Sequence, residues 1–392
     1  MSGRRWLALL ACAFALSGLA PASAQDSIKI GLVLPMTGPF ASTGKQIAAG
    51  ARLFMQQRGD KAGGKPIELI LKDDGGNADA TKRLVQELIA NDGVKILAGF
   101  GLTPLALAAA PVSAQTKTPM IVMGAATSIV TERSPYIARP GMAAPALTVG
   151  IANWAPKNGI KKVVTLVSDY APGIDIEKAF VEQFTAAGGE VVLQMRVPLA
   201  NPDFAPFLQR ARDAAPEGLF VFVPAGQGAI LMKQFVERGM DKSGIRLIGT
   251  GDMTDDDILN GFGDAALGVV TSHHYSAAHP SATNKAFVEA FGKANAGMRP
   301  NFMGVAGYDG MALIYAALDK TKGVTDGDAL IAAMKGASWE SPRGPISIDP
   351  DTRDIIQTIY VRKVERQNGE LWNVEFDKID SVKDPVKAAA KK

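Results

Sequence analysis

The sequence predicts an α/β fold of two similar lobes, each a parallel sheet flanked by helices. Two observations support this prediction. Short runs of β-branched residues alternate with segments of helical periodicity, which is typical of βα units on a parallel sheet. The same order of elements then occurs a second time, in a chain of 392 residues that is longer than one hydrophobic core usually supports.

The first block of elements extends from Ile28 to Met123. Between its strands, apolar residues recur every three or four positions, as at Ile47, Ala51 and Phe54, and this spacing predicts helices. The predicted strands are 28–34, 67–72, 94–98 and 119–123.

The second block repeats this order, with a helix that begins at Asp175. Its predicted strands are 161–168, 190–197, 218–223, 245–249 and 267–272. The C-terminal part adds helices around 281–297, 308–320 and 326–336 and two hairpin-like strands at 355–364 and 371–376. Because these pieces follow two complete blocks, we expect them to dock on the lobes already formed and the last residues to form a frayed tail.

The N-terminus has the three parts of a secretory signal peptide. Arg4 and Arg5 form a basic segment, an apolar stretch follows, and Ala22-Ser23-Ala24 is typical of a cleavage site. We therefore predict removal of residues 1–24 and export. The formal charge of the whole chain is only +3, which argues against nucleic acid or a membrane surface as a partner.

The single cysteine, Cys12, lies within the apolar part of this signal. The mature protein is therefore expected to contain no disulfide bond and no cysteine metal site. A second uncharged span, residues 96–116, is long enough to be considered as a membrane helix. It contains Gly99, Pro104 and Pro111, so a buried strand, a loop and an alanine-rich helix explain it better.

No motif for catalysis or cofactor binding is present in the sequence. The Gly-x-Gly pairs at 99–104 and 249–254 lack the third glycine of a dinucleotide fingerprint, and the P-loop, Gly-x-Ser-x-Gly and His-Glu-x-x-His motifs are absent. The three histidines, at 273, 274 and 279, have no carboxylate at a ligand spacing within their cluster, so a strand end explains them better than a metal site. We expect no cofactor, no metal and no enzymatic activity.

Residues 120–128, "MIVMGAATS", place small and hydroxyl-bearing residues directly after a strand that is predicted to be buried. In open α/β sheets, ligands bind beyond the carboxyl ends of the strands, where helix N-termini offer free N–H groups. The hydroxyls of Thr127 and Ser128, with neighbouring N–H groups, can satisfy a buried carboxylate. The alternative is that Thr127 or Ser128 only caps the following helix.

Four segments keep a common order and spacing along the chain: "IKIGLVLPMTGPFASTGKQIAAGARL", "KDDGGNADATKRLVQELIANDGVKILAGF", "PMIVMGAATS" and "SDYAPG". With them the chain resembles, over residues 28–376, the leucine/isoleucine/valine-binding family of periplasmic solute receptors, the binding components of ABC importers. The resemblance implies the type I periplasmic binding fold. In that fold two lobes are joined by three hinge crossovers, and the ligand is buried between them.

The resemblance also implies the lobe boundaries. The crossovers are expected near 140–145, 273–277 and 338–345. The N-terminal lobe is then 25–142 plus 276–338, the C-terminal lobe is 143–275 plus 339–380, and 381–392 is a tail.

The family's carboxylate site, carried over by position, falls on the main chain of Ala125 and on Thr127. Ser128 and the loop around Thr103 lie beside these residues in the expected site. Tyr170 matches the tyrosine that closes on the ligand from the second lobe, although alanine follows it here where the family usually has glycine.

In the amino-acid binders of this family, an acid from the second lobe receives the ammonium group. Asp252 matches that position unless the alignment places Gly251 there instead. An amino acid needs this acid, since an unpaired ammonium group in a closed cleft costs several kcal/mol. If Asp252 points away, the ligand is expected to have a carboxylate and an apolar body only. An aromatic acid would suit Phe40 and Phe302, which lie in predicted loops able to face the cleft.

The resemblance thus implies a periplasmic protein that captures a small carboxylate, either a hydrophobic amino acid or an aromatic acid, and delivers it to an inner-membrane ABC permease. A secreted α/β enzyme and a subunit that presents its ligand to a membrane sensor remain alternatives, because a fold does not determine a function. Neither nucleic acid nor a direct membrane span is expected.

Overall fold

A computed structural model describes residues 27–390 of the chain. The predicted signal peptide, residues 1–24, lies outside this part. Two sheets with flanking helices form the molecule, so the predicted α/β class with two lobes is confirmed. Within residues 27–390, no helix combines the length and the apolar character that a membrane span requires.

Within residues 27–390, the first sheet has six strands, and the strand at 28–34, inside this sheet, is almost completely buried. Its strands are β1 (Ile28–Leu34), β2 (Lys61–Ala62), β3 (Lys65–Asp73), β4 (Ile96–Gly99), β5 (Met120–Val122) and β6 (Ile137–Ala138). Their order is β2-β3-β1-β4-β5-β6, and all neighbours except β2 and β3 are parallel. The helices between them are α1 (Ala41–Arg58), α2 (Ala78–Ala90) and α3 (Thr103–Thr116). The uncharged span 96–116 is therefore a strand, a loop and a helix, as predicted.

The second sheet has nine strands in the described chain. Its strands are β7 (Lys162–Ser168), β8 (Glu190–Val197), β9 (Gly218–Phe222), β10 (Arg246–Thr250), β11 (Val270–His273), β12 (Ser338–Ser341), β13 (Gly344–Ile348), β14 (Ile355–Gln367) and β15 (Glu370–Val382). Strands β7 to β11 are parallel, whereas β14 joins β11 antiparallel and carries β13 and β15. The helices are α4 (Val149–Lys157), α5 (Ala171–Ala186), α6 (Ala205–Asp213) and α7 (Gly228–Glu237).

Three further helices, α8 (Ala282–Ala294), α9 (Phe302–Lys320) and α10 (Gly327–Met334), return to the first sheet. Helix α9 packs along α1, where a Cβ on Gly50 would lie 1.9 Å from the carbonyl oxygen of Gly304. It begins earlier than the predicted residue 308 because the side chain of Asn301 accepts hydrogen bonds from the N–H groups of Met303 and Gly304. We call the first sheet with α1–α3 and α8–α10 the first lobe, and the second sheet with α4–α7 the second lobe.

The chain passes between the lobes three times, after β6, after β11 and before β12, as the fold class predicts. The residue boundaries of the two lobes stay a prediction.

Buried arginines hold the chain together at these crossovers. The guanidinium of Arg343 donates to the carbonyls of Pro140 and Gly141 over 2.7 and 2.8 Å, and to the carboxylate of Asp309 over 2.9 Å. Arg343 thereby joins the first crossover to the third and to helix α9. Such a cation remains favourable in the interior because its planar fork is fully hydrogen-bonded.

The last described part of the chain, residues 385–390, is docked rather than frayed. Helix α11 (Pro385–Ala390) follows β15, and the side chain of Lys387 is buried. Its ammonium group lies 2.5 Å from the carboxylate of Asp354, which also pairs with Arg139 over 2.7 Å. The expectation of a frayed tail was wrong because a local reading of "DPVKAAAKK" shows no apolar face, whereas the contact that fixes it is ionic.

Candidate functional site

A largely enclosed cleft lies between the two lobes, at the carboxyl ends of the parallel strands. It contains about 370 Å³ of space free of atoms, of which only about 20 Å³ is open to the centre of a water molecule. The cleft is thus nearly closed, with room for little more than a single water molecule between the lobes. Both lobes line it. The lining residues of the first lobe are Thr43, Gly101, Leu102, Thr103, Gly124, Ala126 and Met303. Those of the second lobe and of the crossover that leads into it are Met142, Ala144, Leu147, Tyr170, Pro172, Ile176, Phe222, Pro224, Ala225 and Asp252.

Three helices begin at this cleft, because in βα units the helix follows the carboxyl end of a strand. Thr43 lies in the first turn of α1, Thr103 is the first residue of α3, and Pro172 lies in the first turn of α5. None of these three helices is capped by a side chain, whereas α2 and α8 are capped by Asn77 and Ser281. Uncapped N–H groups and the positive ends of three helix dipoles therefore meet at the cleft, which favours an anion there.

Two polar atoms of the cleft lining have no hydrogen-bond partner among residues 27–390. They are Oγ1 of Thr43, on the first lobe, and Oδ2 of Asp252, on the second. Both side chains are buried, with 0% and 2% of their residue surface exposed. An unsatisfied buried polar atom costs about 1–3 kcal/mol, so Oγ1 of Thr43 is positioned for a partner outside the protein, whereas Oδ2 of Asp252 lies 3.3 Å from Nε2 of His273.

The junction after β5 contributes backbone rather than hydroxyl groups to the lining. Gly124 and Ala126 line the cleft. The N–H of Ala125, which the resemblance assigned to the ligand carboxylate, donates to the carbonyl of Phe100 over 2.9 Å and is not free. The structure therefore places Ala126, and not Ala125, at the cleft surface.

Thr127 and Ser128 follow this junction and are buried, but neither is a lining residue of the cleft. The hydroxyl of each has no hydrogen-bond partner in the described chain. The N–H of Thr127 donates to Oγ1 of Thr103 over 3.4 Å, and the N–H of Ser128 donates to the carboxylate of Asp175 over 3.1 Å. Thr103 thus links this segment to the cleft, and a direct role for Thr127 or Ser128 in binding stays a prediction.

Tyr170 lines the cleft from the second lobe, as the resemblance implied. Its ring stacks on Phe222, with centroids 6.0 Å apart and planes inclined by 13°. Burial raises the pKa of the Tyr170 phenol well above its ordinary value, and the nearby carboxylate of Asp252 raises it further. The phenol is therefore neutral at physiological pH and acts as a hydrogen-bonding and stacking group only.

Asp252, and not Gly251, faces the cleft. A Cβ on Gly251 would lie 1.8 Å from Nη2 of Arg362, so that position accepts no side chain. The carboxylate of Asp252 lies 3.3 Å from Nε2 of His273, which is fully buried. Burial lowers the pKa of the His273 ring, and the Asp252 carboxylate only partly opposes that effect.

His274 stacks on His273, with ring centroids 4.4 Å apart. Burial lowers the pKa of His274 well below its ordinary value, so both imidazoles are neutral at pH 7. Among residues 27–390, no group of three or more His, Cys, Asp or Glu side chains is arranged to hold a metal ion.

The two predicted aromatic residues lie beside the cleft and not in its lining. Phe40 packs against Leu102 and Leu105 in a small apolar cluster of the first lobe. Phe302 lies in the first turn of α9 rather than in a loop, and its ring is 4.4 Å from that of His273. Both are buried, so they support the wall without contacting the cleft space.

Sequence reasoning did not identify Thr43, Phe222 and His273. A signal for Thr43 was present, since it follows β1 in the same way that Thr103 follows β4. The apolar run 218–223 gave no sign that Phe222 is the residue that emerges at the cleft, because a strand buried on both faces is uniformly apolar. His273 was explained as a strand end, and its distance from Asp252 is set by the pairing of β10 with β11.

Comparison with known proteins agrees with this geometry. The family model described as "Periplasmic binding protein" matches residues 27–370. Among curated relatives, the chain is 41% identical to the Leu/Ile/Val-binding protein homolog 6 of Brucella melitensis over 370 residues, which are 93% of this chain and 95% of that protein.

Several solved structures are also similar. A solute binding protein of an ABC transporter from Rhodopseudomonas palustris BisB5, in complex with 3,4-dihydroxy benzoic acid, is 63% identical, with a TM-score of 0.91 and coverage of 93% of this chain and 100% of that one. A second R. palustris solute binding protein, in complex with 4-hydroxybenzoate, is 41% identical, with a TM-score of 0.89 and coverage of 92% and 98%. A third, in complex with benzoate, is 28% identical, with a TM-score of 0.82 and coverage of 91% and 98%.

Proposed function

The chain belongs to the periplasmic binding protein family, and on that premise we propose that it captures an aromatic carboxylic acid of the benzoate type for an ABC importer. The cleft carries the proposal, because it combines an anion-favouring end with a lining that is mostly apolar. The protein binds its ligand between the lobes, releases it unchanged and delivers it to an inner-membrane permease.

The carboxylate end of the ligand is held by the first lobe. Helices α1 and α3 begin there without side-chain caps, and Thr43 and Thr103 place hydroxyl groups beside their first turns. A carboxylate that accepts several N–H and O–H hydrogen bonds is stable in a closed cleft, whereas a bare one is not. The positive ends of the two helix dipoles add to this stabilisation.

The body of the ligand lies between apolar side chains of the second lobe. Tyr170 and Phe222 form a stacked pair at the lining, and the apolar side chains of Leu147 and Ile176 line the same cleft. Aromatic side chains prefer offset or edge-on contact with another ring, and such pairs are worth ~0.5–1.5 kcal/mol beyond the buried area. The stacked pair therefore favours a ligand with an aromatic ring over one with a branched aliphatic chain.

The relatives support an aromatic acid over an amino acid. The structure that is 63% identical contains 3,4-dihydroxy benzoic acid, and the structure that is 41% identical contains 4-hydroxybenzoate. The curated Brucella relative is named for leucine, isoleucine and valine at 41% identity. A hydrophobic amino acid is the second candidate, because Asp252 faces the cleft, which is the orientation that the sequence argument requires for a ligand with an ammonium group.

Closure of the two lobes couples binding to transport. A ligand that touches both lobes is bound fully only when they are closed, so it shifts the population toward the closed form by its difference in affinity for the two forms. The lobes are already in contact in the described structure, where Ser42 of α1 donates to Asp257 of the second lobe over 3.2 Å. The permease is then able to distinguish the loaded form by its shape.

Isothermal titration calorimetry with benzoate, 4-hydroxybenzoate, leucine and phenylalanine tests the proposal. We expect saturable binding of the aromatic acids, with leucine and phenylalanine at least tenfold weaker. Saturable binding of leucine without binding of either benzoate would overturn it. Recovery of the bound acid unchanged after long incubation, measured by mass spectrometry, tests the absence of turnover.

A further inference from the structure

The second-lobe end of the cleft contains a buried carboxylate with a buried imidazole behind it. Oδ2 of Asp252 has no hydrogen-bond partner of acceptable geometry in the described chain, although it lies 3.3 Å from Nε2 of His273. The carboxylate of Asp252 lines the cleft, whereas His273 lies behind it and contributes no surface to the cleft. Of these two residues, only Asp252 can therefore touch a ligand.

The surroundings of His273 hold its ring in one place. The ring of His273 stacks on that of His274, its centroid lies 4.4 Å from the centroid of the Phe302 ring, and the residue is fully buried. A neutral imidazole carries one N–H, and neither ring nitrogen of His273 has a hydrogen-bond partner within residues 27–390; Nε2 is the one that lies 3.3 Å from Oδ2 of Asp252. His273 thus supports the Oδ2 side of the carboxylate from behind, and Asp252 is the member of the pair that lines the cleft.

A carboxylate of this kind only accepts hydrogen bonds, so it selects a ligand that carries a donor at that end. Unsubstituted benzoate has no donor outside its acid group, and an aromatic acid with a ring hydroxyl has one. A buried acceptor that loses its partner costs about 1–3 kcal/mol, so the site discriminates against the ligand without the hydroxyl.

We propose that Asp252 recognises a phenolic hydroxyl at the ring position opposite the ligand's carboxylate, and that His273 is a positioning residue for Asp252. The protein then takes hydroxybenzoates in preference to benzoate. This inference rests on the proposed function, because it assumes that the ligand is an aromatic acid whose carboxylate is held by the first lobe. Recognition involves no proton transfer, since the phenol remains protonated while it donates to Asp252.

The first experiment uses the unmodified protein and three probes: benzoate, 4-fluorobenzoate and 4-hydroxybenzoate. Fluorine fills most of the space of a hydroxyl but donates no hydrogen bond. We expect 4-hydroxybenzoate to bind about 10- to 100-fold more tightly than the other two in calorimetry. Equal affinities for all three would overturn the inference and leave the proposed function intact. Binding of none of the three would overturn the proposed function itself.

The second experiment measures the ratio of the affinities for 4-hydroxybenzoate and benzoate in variants. Asp252→Ala should reduce the ratio to near 1, and His273→Leu should reduce it severalfold, whereas His273→Gln, which keeps an N–H donor, should retain most of it. The matched control is His279→Gln. His279 also pairs with a carboxylate, that of Glu375 over 2.7 Å, but it lies outside the cleft and should leave the ratio unchanged.

General damage to the fold would weaken both ligands and leave the ratio unchanged, so the ratio reports the role of Asp252 and His273 alone. An unaltered ratio in Asp252→Ala would overturn the recognition of the hydroxyl. An unaltered ratio in His273→Leu would overturn the positioning role. The ultraviolet spectrum of bound 4-hydroxybenzoate gives an independent check: we expect the spectrum of the neutral phenol, and a phenolate spectrum would contradict hydrogen-bond donation to Asp252.

Discussion

The carboxylate of Asp175 accepts a hydrogen bond from the backbone N–H of Ser128 over 3.1 Å. Asp175 lies in the first turns of α5 in the second lobe, and Ser128 follows the β5 junction in the first lobe. This bond therefore joins the lobes beside the cleft, and we expect it to break when they separate. A second such contact is made by Asp257, whose carboxylate accepts hydrogen bonds from Ser42 and Asn301 over 3.2 and 3.1 Å.

Removal of the Asp175 bond should weaken ligand binding without changing the cleft. In Asp175→Ala the closed form loses about 1 kcal/mol, so we expect the affinity for 4-hydroxybenzoate to fall about fivefold in calorimetry. Glu182→Ala is the matched control, because Glu182 lies on the same helix and forms only an exposed pair with Lys178 at 3.9 Å. An Asp175→Ala affinity equal to that of the control would show that this bond does not contribute to closure.

Substitutions of Thr103 and Thr127 are expected to weaken binding of the ligand's carboxylate to different extents. Thr103→Val removes a hydroxyl that lines the cleft and should weaken benzoate binding by about 1–3 kcal/mol. Thr127→Val should cost less, since its hydroxyl is not part of the lining. Thr185→Val, at an exposed position of α5, is the control. A larger loss in Thr127→Val than in Thr103→Val would favour the site that the family resemblance placed on Thr127.

Asp255 should make stability depend on pH. Burial raises the pKa of this carboxyl well above its ordinary value of 3.8, and the carboxylates of Asp257 and Asp252 raise it further. For a carboxyl whose pKa is raised by folding, the favourable contribution is fully present below the ordinary value and is lost as the pH rises through the raised value. At pH 7.5 the ionised form therefore destabilises the fold.

Asp255→Asn should remove this effect, because the amide oxygen can still accept the hydrogen bond that Gly226 donates over 2.8 Å. We expect a melting temperature about 1–3 °C above that of the unmodified protein at pH 7.5, with the difference shrinking as the pH falls toward 4. Circular dichroism melts across this range measure it, with the exposed Asp213→Asn as control. A difference that is independent of pH would contradict the titration of Asp255.

Lys387 should anchor the C-terminal helix. In Lys387→Met the carboxylate of Asp354 keeps Arg139 but loses its second cation, so we expect a loss of roughly 1–3 kcal/mol in the free energy of unfolding. Chemical denaturation measures this loss. Lys233→Met, which removes an exposed pair with Glu237 at 3.9 Å, should have almost no effect. Equal stability of the two variants would mean that docking of the tail adds nothing to the fold.

The elements that follow from local pattern were predicted well. The run 28–34 is predicted and observed as β1 with the same bounds, because no residue within it ends the strand before Pro35. The start of α9 was misplaced because "NFMG" contains glycine and aromatic residues, and only the cap at Asn301 shows that the helix begins there. Thr103 and Tyr170 were predicted at the cleft and lie in its lining, whereas Phe40 and Phe302 lie beside it.

By itself, the sequence determined the α/β class, the order of the elements and the position of the small-residue junctions, since strand and helix periodicity and turn residues act over a few neighbouring positions. Only the tertiary structure decided which side chains meet. Asp252 faces the cleft with His273 behind it because β10 and β11 pair in one register, and Lys387 reaches Asp354 because the tail folds back. Contacts between residues far apart in the chain depend on packing and long-range charge, which a reading of neighbouring residues does not contain.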